Sequence, residues 1–442
     1  YAAGFTFSSD FPTSDGAYRT SDQGRGQDAW VAKFTPEGSV AYSTLVGGTA
    51  GPLDGGRALA VDDAGRAYLT GTMGSDDMET RRAFQPEANG VQDAYLAVLN
   101  EDGSDLYFAT YLGGRNVVDP HEVRQGRVGI IEDGQSLTLG PDGLVYLAGV
   151  TDADDFPTTP DAFMPANPGG RSFFLSVIDV HEGKLVYSTY LGGRGEDGAL
   201  SFQAAAVAVD DHGFVYFAGT TRMTEEQART FPIKDAFDPT YNGGWDVFVM
   251  KFAPTWGEPI YSTFLGSRQD DFVNSIAVGR SGAPHVVGKT LEAPITAGLV
   301  PTESFLEARA GDPIVPRGGG ADGFLVKLAP CGDRVDMWSF IGGSSPLDRT
   351  PAQGTLASEE TAIVVTLDRW ESAYVTGLMT TRDFRPAPTK GEALSGPWDA
   401  FVVKFVDDPG SSGRNAFDGP ASPEKSLGCG SPAAEHRTTP TK

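Results

Sequence analysis

Between Ala206 and Ser267 the chain reads AVAVDDHG (Ala206–Gly213), YFAG (Tyr216–Gly219), DVFVMKF (Asp246–Phe252) and YSTFLGS (Tyr261–Ser267). Each element is a short run of β-branched, aromatic and small apolar residues bounded by Gly, Asp, Asn or Pro, the signature of a strand and too short and punctuated for a helix. A few turn residues ending in Gly213 join the first element to the second, and PTWG from Pro254 joins the third to the fourth. Such reversals need a residue that tolerates positive φ, so neighbouring strands are predicted to be antiparallel.

Working outward, the same four elements recur. Y-x-x-G stands at Tyr1, Tyr68, Tyr146, Tyr216 and Tyr374, and as HVVG at His285. The third element recurs as DAWVAKF from Asp28, DAYLAVL from Asp93, SFFLSVI from Ser172, DGFLVKL from Asp322 and DAFVVKF from Asp399. The fourth recurs as YSTLVGG from Tyr42, FATYLGG from Phe108, YSTYLGG from Tyr187 and WSFIGG from Trp338, and the first as ALAVDDAG from Ala58, SLTLGPDG from Ser136, SIAVGRSG from Ser275 and AIVVTLD from Ala362. A repeat of this length must be read as an array before anything else.

Alternation puts Trp30, Ala32 and Phe34 on one face of DAWVAKF and Ala29 and Val31 on the other, so both faces of each small sheet are apolar and need cover. Stacking the sheets around a ring covers every face and leaves short edges, which predicts an all-β chain: a β-propeller of about six four-stranded antiparallel blades. Strands are assigned A (innermost, AVD), B (YxxG), C (DxFVxKF) and D (outermost, YSTYLGG). The first blade then lacks A in the visible chain. The last lacks D after Phe405, and Arg414 to Phe417 is the expected degenerate substitute. The propeller spans 1–418 and an irregular Pro-rich tail 419–442.

A-V-D-x-x-G-x-x-Y-x-x-G, D-F-P-T-T, D-A-F-V-x-K-F and Y-S-T-Y-L-G-G together resemble the bacterial SBBP family of β-propeller repeats over about residues 1–405. The third repeat, with DFPTTPDAF at Asp155–Phe163, matches best, while repeats five and six have lost several positions. The resemblance implies a secreted or surface protein of bacteria, often without a known biochemical activity. The family's name denotes seven blades, where six repeats are counted here.

Gly 57 and Pro 30 in 442 residues mark many turns, and 40% hydrophobic content suits a packed core. A formal charge of −25 repels phosphate backbones, which argues against a nucleic-acid partner. No stretch approaches 18 uncharged apolar residues, so no membrane-spanning helix is expected. The chain begins at Tyr1, for which a cleaved secretory signal is one explanation. The resemblance to the SBBP type implies an extracellular or cell-surface location, with the periplasm as the variant. The two cysteines, Cys331 and Cys429, have neither zinc spacing nor a C-x-x-C motif and are expected to pair as a disulfide that anchors the tail beside the last blade.

No catalytic or cofactor-binding residue is assigned. His121, His181, His212, His285 and His436 fall in different segments without a nucleophile elbow. Acidic clusters (Asp76 and Asp77; Asp152, Asp154 and Asp155; Glu196 and Asp197; Asp270 and Asp271) read as turn caps or solvated charge. Asp152, Asp154 and Asp155 are the weak calcium candidates, no twelve-residue calcium loop being present. Lys33, Lys251, Lys327 and Lys404 recur at one position of strand C, where an inward lysine calls for a carboxylate partner and a blade-to-blade role. Strand parity places the insertions 115–135, 221–229, 291–321 and 344–361 on one face, which is the expected protein-docking surface. The sequence therefore favours a non-catalytic scaffold or interaction module, within a larger extracellular assembly. The alternative is a propeller lectin or enzyme acting on extracellular polysaccharide, with Trp256, Trp370 and Trp398 stacking on sugars.

Overall fold

The computed structural model describes residues 1–21, 26–51, 53–115, 132–192, 204–267, 269–291, 321–342, 361–379 and 399–406. Among these residues twenty-two strands form six antiparallel sheets, each ordered as its strands follow in the chain. Blade one holds β1 (Ala2–Thr6), β2 (Asp28–Phe34) and β3 (Val40–Val46). Blade two holds β4 (Asp54–Val61), β5 (Ala67–Met73), β6 (Asp93–Leu99) and β7 (Leu106–Leu112). Blade three holds β8 (Asp133–Leu139), β9 (Val145–Thr151), β10 (Ser172–Asp179) and β11 (Lys184–Leu191). Blade four holds β12 (Ala205–Val209), β13 (Val215–Thr221), β14 (Asp246–Phe252) and β15 (Tyr261–Leu265). Blade five holds β16 (Asp271–Val278), β17 (Pro284–Thr290), β18 (Asp322–Leu328) and β19 (Val335–Ile341). Blade six holds β20 (Thr361–Leu367), β21 (Ala373–Met379) and β22 (Asp399–Phe405). This is the six-bladed β-propeller, with strand A missing from blade one and D from blade six among the described residues. Arg414 to Phe417 lies outside them.

Blades stack face to face, and an apolar cluster fills each junction from one–two to five–six. Ala29 and Val31 face blade two, as their alternation requires. The letters of the repeat each have a physical reason. In Y-x-x-G the tyrosine hydroxyl of Tyr68, Tyr146 or Tyr216 donates to the Asp of its own A–B turn, at 3.0, 2.7 and 3.1 Å. The glycine admits a bulged strand A: a Cβ on Gly71 or Gly288 would stand 1.9 or 1.8 Å from the carbonyl oxygen of Gly55 or Phe272. In Y-S-T the threonine hydroxyl accepts a backbone N–H from the B–C loop, as Thr110 does from Gln85 (3.2 Å) and Thr189 from Met164 (2.8 Å).

That last contact changes the expected picture of the faces. The B–C loops of blades one to four leave from the end where B finishes, then run along the outer strand. Arg81 and Ala109 exchange backbone hydrogen bonds, as do Lys234 and Ser262. Thr159 donates to Ser188 and Ser14 to Ser43 in the same way. The D-F-P-T-T segment therefore blunts an otherwise open sheet edge.

Candidate functional site

The end of the propeller where B meets C and D meets the next A is termed the upper face; A–B and C–D turns form the lower face. The expected docking surface is the upper one. Of its insertions, 221–229 is described. It forms the four-residue helix α1 (Glu225–Ala228), closed by a capping box in which Thr224 accepts the Gln227 N–H and Gln227 accepts the Thr224 N–H. Met223 and Phe231 beside it are buried in the blade three–four core. Residues 116–131, 292–320 and 344–360 of the other insertions lie outside the described residues.

Beneath this face the structure brings together carboxyls that stand far apart in the sequence. A strand A acid accepts the backbone N–H of the segment leaving the previous strand D. Gly48 donates to Asp54 (2.9 Å), Gly114 to Glu132 (3.1 Å) and Ser267 to Asp271 (2.5 Å). At two junctions the first residue of the previous strand C adds a second carboxyl. Asp93 lies against Glu132, both buried, and burial raises both above the ordinary carboxylate range. Asp246 faces Asp271: a Cβ on Gly266 would stand 2.0 Å from Asp246 Oδ1 and 3.3 Å from Asp271 Oδ2. Asp246 Oδ1 is buried without a hydrogen-bond partner, and burial followed by the charge of Asp271 pushes that carboxyl up to about 8. A carboxyl that keeps its proton at neutral pH can donate to its neighbour, so the hydrogen-bonded Asp93–Glu132 pair can be held by a shared proton. The same pairing recurs at the junction of blades two and three and at that of blades four and five.

Two of the strand C lysines, Lys33 and Lys251, bridge blades, with a carbonyl in place of the expected carboxylate. Lys251 is fully buried and donates to the Pro330 carbonyl of blade five (3.1 Å), and Lys33 donates to the Glu101 carbonyl of blade two (3.0 Å). A C–D turn offers carbonyl oxygens at the reach of an extended lysine, and a dipole suffices where no carboxylate fits. Burial pulls Lys251 down to about 8. Lys404, in the last blade, turns instead to Asp368 of its own blade (3.0 Å).

The calcium candidates are spread over other work. Asp152 holds the Arg171 guanidinium through both oxygens (2.8 and 2.9 Å), and Asp155 accepts the Arg115 backbone N–H (2.6 Å). Asp154 stays exposed. Among the described residues no three His, Cys, Asp or Glu side chains gather as metal ligands. Trp256 packs flat on Tyr187, ring centroids 4.2 Å apart, as a core residue would. Trp370 is 68% exposed under the Arg369 guanidinium, and Trp398 lies outside the described residues. His285 is buried with Nδ1 at the Ala283 carbonyl, while His121 and His436 lie outside the described residues. Cys331 sits in the C–D turn of blade five and no described cysteine is free; Cys429 lies outside the described residues. No helix among the described residues is long and apolar enough to cross a membrane.

No family model matches the chain, and no curated protein matches it. Solved structures similar to it include a protein of unknown function from Bacteroides caccae, at 10% identity over 84% of this chain and 81% of that one, TM-score 0.34. An ulvan lyase, a polysaccharide lyase, is similar at 12% identity over 80% and 77%, TM-score 0.34. BamB from Moraxella catarrhalis is similar at 12% identity over 84% and 95%, TM-score 0.29. Likeness at this level leaves the chemistry to be argued from the chain itself.

Proposed function

We propose that this protein is a non-catalytic interaction module of the bacterial exterior, which docks a protein partner through its upper face. The observation that carries the reading is the asymmetry of the two ends. The described strand ends that flank the long connections lie on the upper face, while the lower-face connections are tight hairpins such as Asp62–Arg66 and Thr35–Ser39. Long connections supply adaptable contact surface, and a rigid propeller supplies its placement. The polar groups beneath that face recur from junction to junction, as structural parts do. The resemblance of the repeats to the SBBP type supports an extracellular or periplasmic setting.

A photo-crosslinking amino acid at exposed Glu226 on the upper face and, separately, at exposed Glu37 on the lower face tests this in the cells that make the protein. Discrete protein adducts from position 226 and none from 37 are expected. The opposite pattern defeats the docking reading. Incubation with a panel of neutral and acidic polysaccharides should release no oligosaccharide; turnover would establish the carbohydrate-active alternative.

A further inference from the structure

Four residues at which blades two and three depart from the repeat meet at one point of the lower rim. Arg66 closes the A–B turn of blade two, where the corresponding residues of blades three, four and six are Leu144, Phe214 and Ser372. Tyr107 is the bulge residue of β7, where β3, β11 and β19 have Ala41, Val186 and Asp336. Arg82 occupies the left-handed position of the B–C loop (φ 53), where blade one has Gly16 (φ 77) and blade four Asp235 (φ 44). His181 lies in the C–D turn of blade three, and no other C–D turn carries a histidine.

The guanidinium carbons of Arg66 and Arg82 stand 4.3 and 4.8 Å from the centroid of the Tyr107 ring. His181 Nδ1 meets the Tyr107 hydroxyl at 2.7 Å, the two rings edge to face. Arg66 is neutralised by Asp62, with Nε 2.7 Å from Oδ2. Arg82 is exposed and has no carboxylate partner among the described residues. Its backbone is held tightly, since a Cβ on Gly183 would stand 2.3 Å from the Arg82 carbonyl oxygen. A long side chain in left-handed backbone is uncommon and is kept where the surroundings over-determine it. A bulge re-aims the side chain it carries, here outward to the rim. The result is a spot of positive charge with a forked donor, a ring nitrogen and a phenol, on a chain of net charge −25.

From this convergence we infer that Arg82, Arg66, His181 and Tyr107 form a binding site for a single oxyanion, a carboxylate or sulfate group of a small acidic ligand such as a uronic acid. Guanidinium forks match such groups bidentately, and a stacked, pre-placed fork loses little freedom on binding. The surrounding negative charge works against densely charged polyanions and leaves singly charged groups as the fitting class. The site is separate from the upper-face docking surface, so either reading can fail alone.

The test is titration of the full chain, selectively labelled in its five histidine rings, with glucuronate, inorganic sulfate and, as the uncharged control, glucose. Saturable shifts of the His181 signals are expected, with a Kd of about 0.1–10 mM, the range open to a few charge-assisted contacts in water. Preference for glucuronate over sulfate assigns a carboxylate ligand, and the reverse a sulfate. Arg82→Gly relieves the left-handed strain and should melt no lower than the parent, yet weaken binding tenfold or more; Arg280→Gln, an exposed arginine elsewhere, should change nothing. Absence of any saturable shift overturns the inference, as does binding to Arg82→Gly at parental strength or equal binding of glucose.

Discussion

DAYLAVL in blade two and DAFVVKF in blade six are nearly the same sentence of sequence in two different surroundings. All seven residues of Asp93–Leu99 are buried, with Leu96 at 0% exposure, whereas at the matching position of Asp399–Phe405 Val402 is 72% exposed. Val364, on the same face of β20, is 45% exposed. Blade two has an outer strand, an edge-covering loop and a packed neighbour on each side. Blade six packs against blade five on one face, through Phe401 and Val375. Even its lysine shows the difference, since Lys33 and Lys251 reach into the following blade and Lys404 settles on its own. Strand propensity is a property of the segment, but burial belongs to the array.

The sharpest way to break this comparison is Leu96→Asp, which puts an uncompensated charge between blades two and three. A loss above roughly 4 kcal/mol, seen as insoluble protein or a collapsed melting transition, is expected. Next comes the tie of the tail to blade five. A bridge between Cys331 and Cys429 is proposed; it would close a loop of nearly 100 residues and contribute roughly 4 kcal/mol in the chain-entropy model. Denatured, unreduced protein should then show no titratable thiol, and Cys331→Ser should lower stability in oxidising buffer while leaving reduced protein unchanged. Two free thiols would remove the bridge and leave blade six with only its neighbour.

A smaller effect follows from the junction carboxyls. Asp246, held near 8 in the fold against about 4 unfolded, keeps its proton after the unfolded chain has lost it. Its favourable contribution is therefore complete below about pH 4 and is lost as pH rises towards 8. Glu132 acts in the same direction. Lys251, depressed to about 8, adds stability only from there upward. The melting temperature should fall between pH 5 and pH 8, and Asp246→Asn should flatten that slope and stabilise the protein by about 1–2 kcal/mol at pH 8. A slope that survives the substitution would separate the carboxyl pair from the pH response. Smallest of all is Val402→Asp, expected within about 0.5 kcal/mol of the parent. If it unfolds the chain as Leu96→Asp does, blade six is covered in solution and the comparison fails.

Strand identity, order and hairpin pairing were legible because each strand carries its own period and its own turn residues, as in AVAVDDHGFVYFAG. The descent of the B–C loop along strand D was not, because Arg81 and Lys234 make edge hydrogen bonds through backbone atoms that any residue carries. The partners of Lys33 and Lys251 were hidden for a similar reason, since a carbonyl leaves no mark in sequence, whereas a carboxylate such as the Asp368 partner of Lys404 does. Asp246 and Asp271 stand 25 positions apart and reveal themselves only when D is folded back to A. The rim cluster does not show as a motif, because Arg66, Arg82, Tyr107 and His181 come from four separate segments that only the folded blades bring together. The signal that finds it is substitution within the repeat: Arg66 for an apolar or small residue, Arg82 for Gly or Asp, Tyr107 for a smaller bulge residue.

The acids at the heads of β4, β8 and β16 and the amides that serve them belong to opposite ends of adjacent repeats. A genetic unit cut from the start of one A to the start of the next therefore carries a free acceptor at its head and free donors at its tail, like a link with a hook and an eye. Duplicating or deleting such a unit re-forms the same clasp at the new seam, with Gly48, Gly114 and Ser267 interchangeable as eyes and Asp54, Glu132 and Asp271 as hooks. Blade number can drift in descent without any junction having to be reinvented.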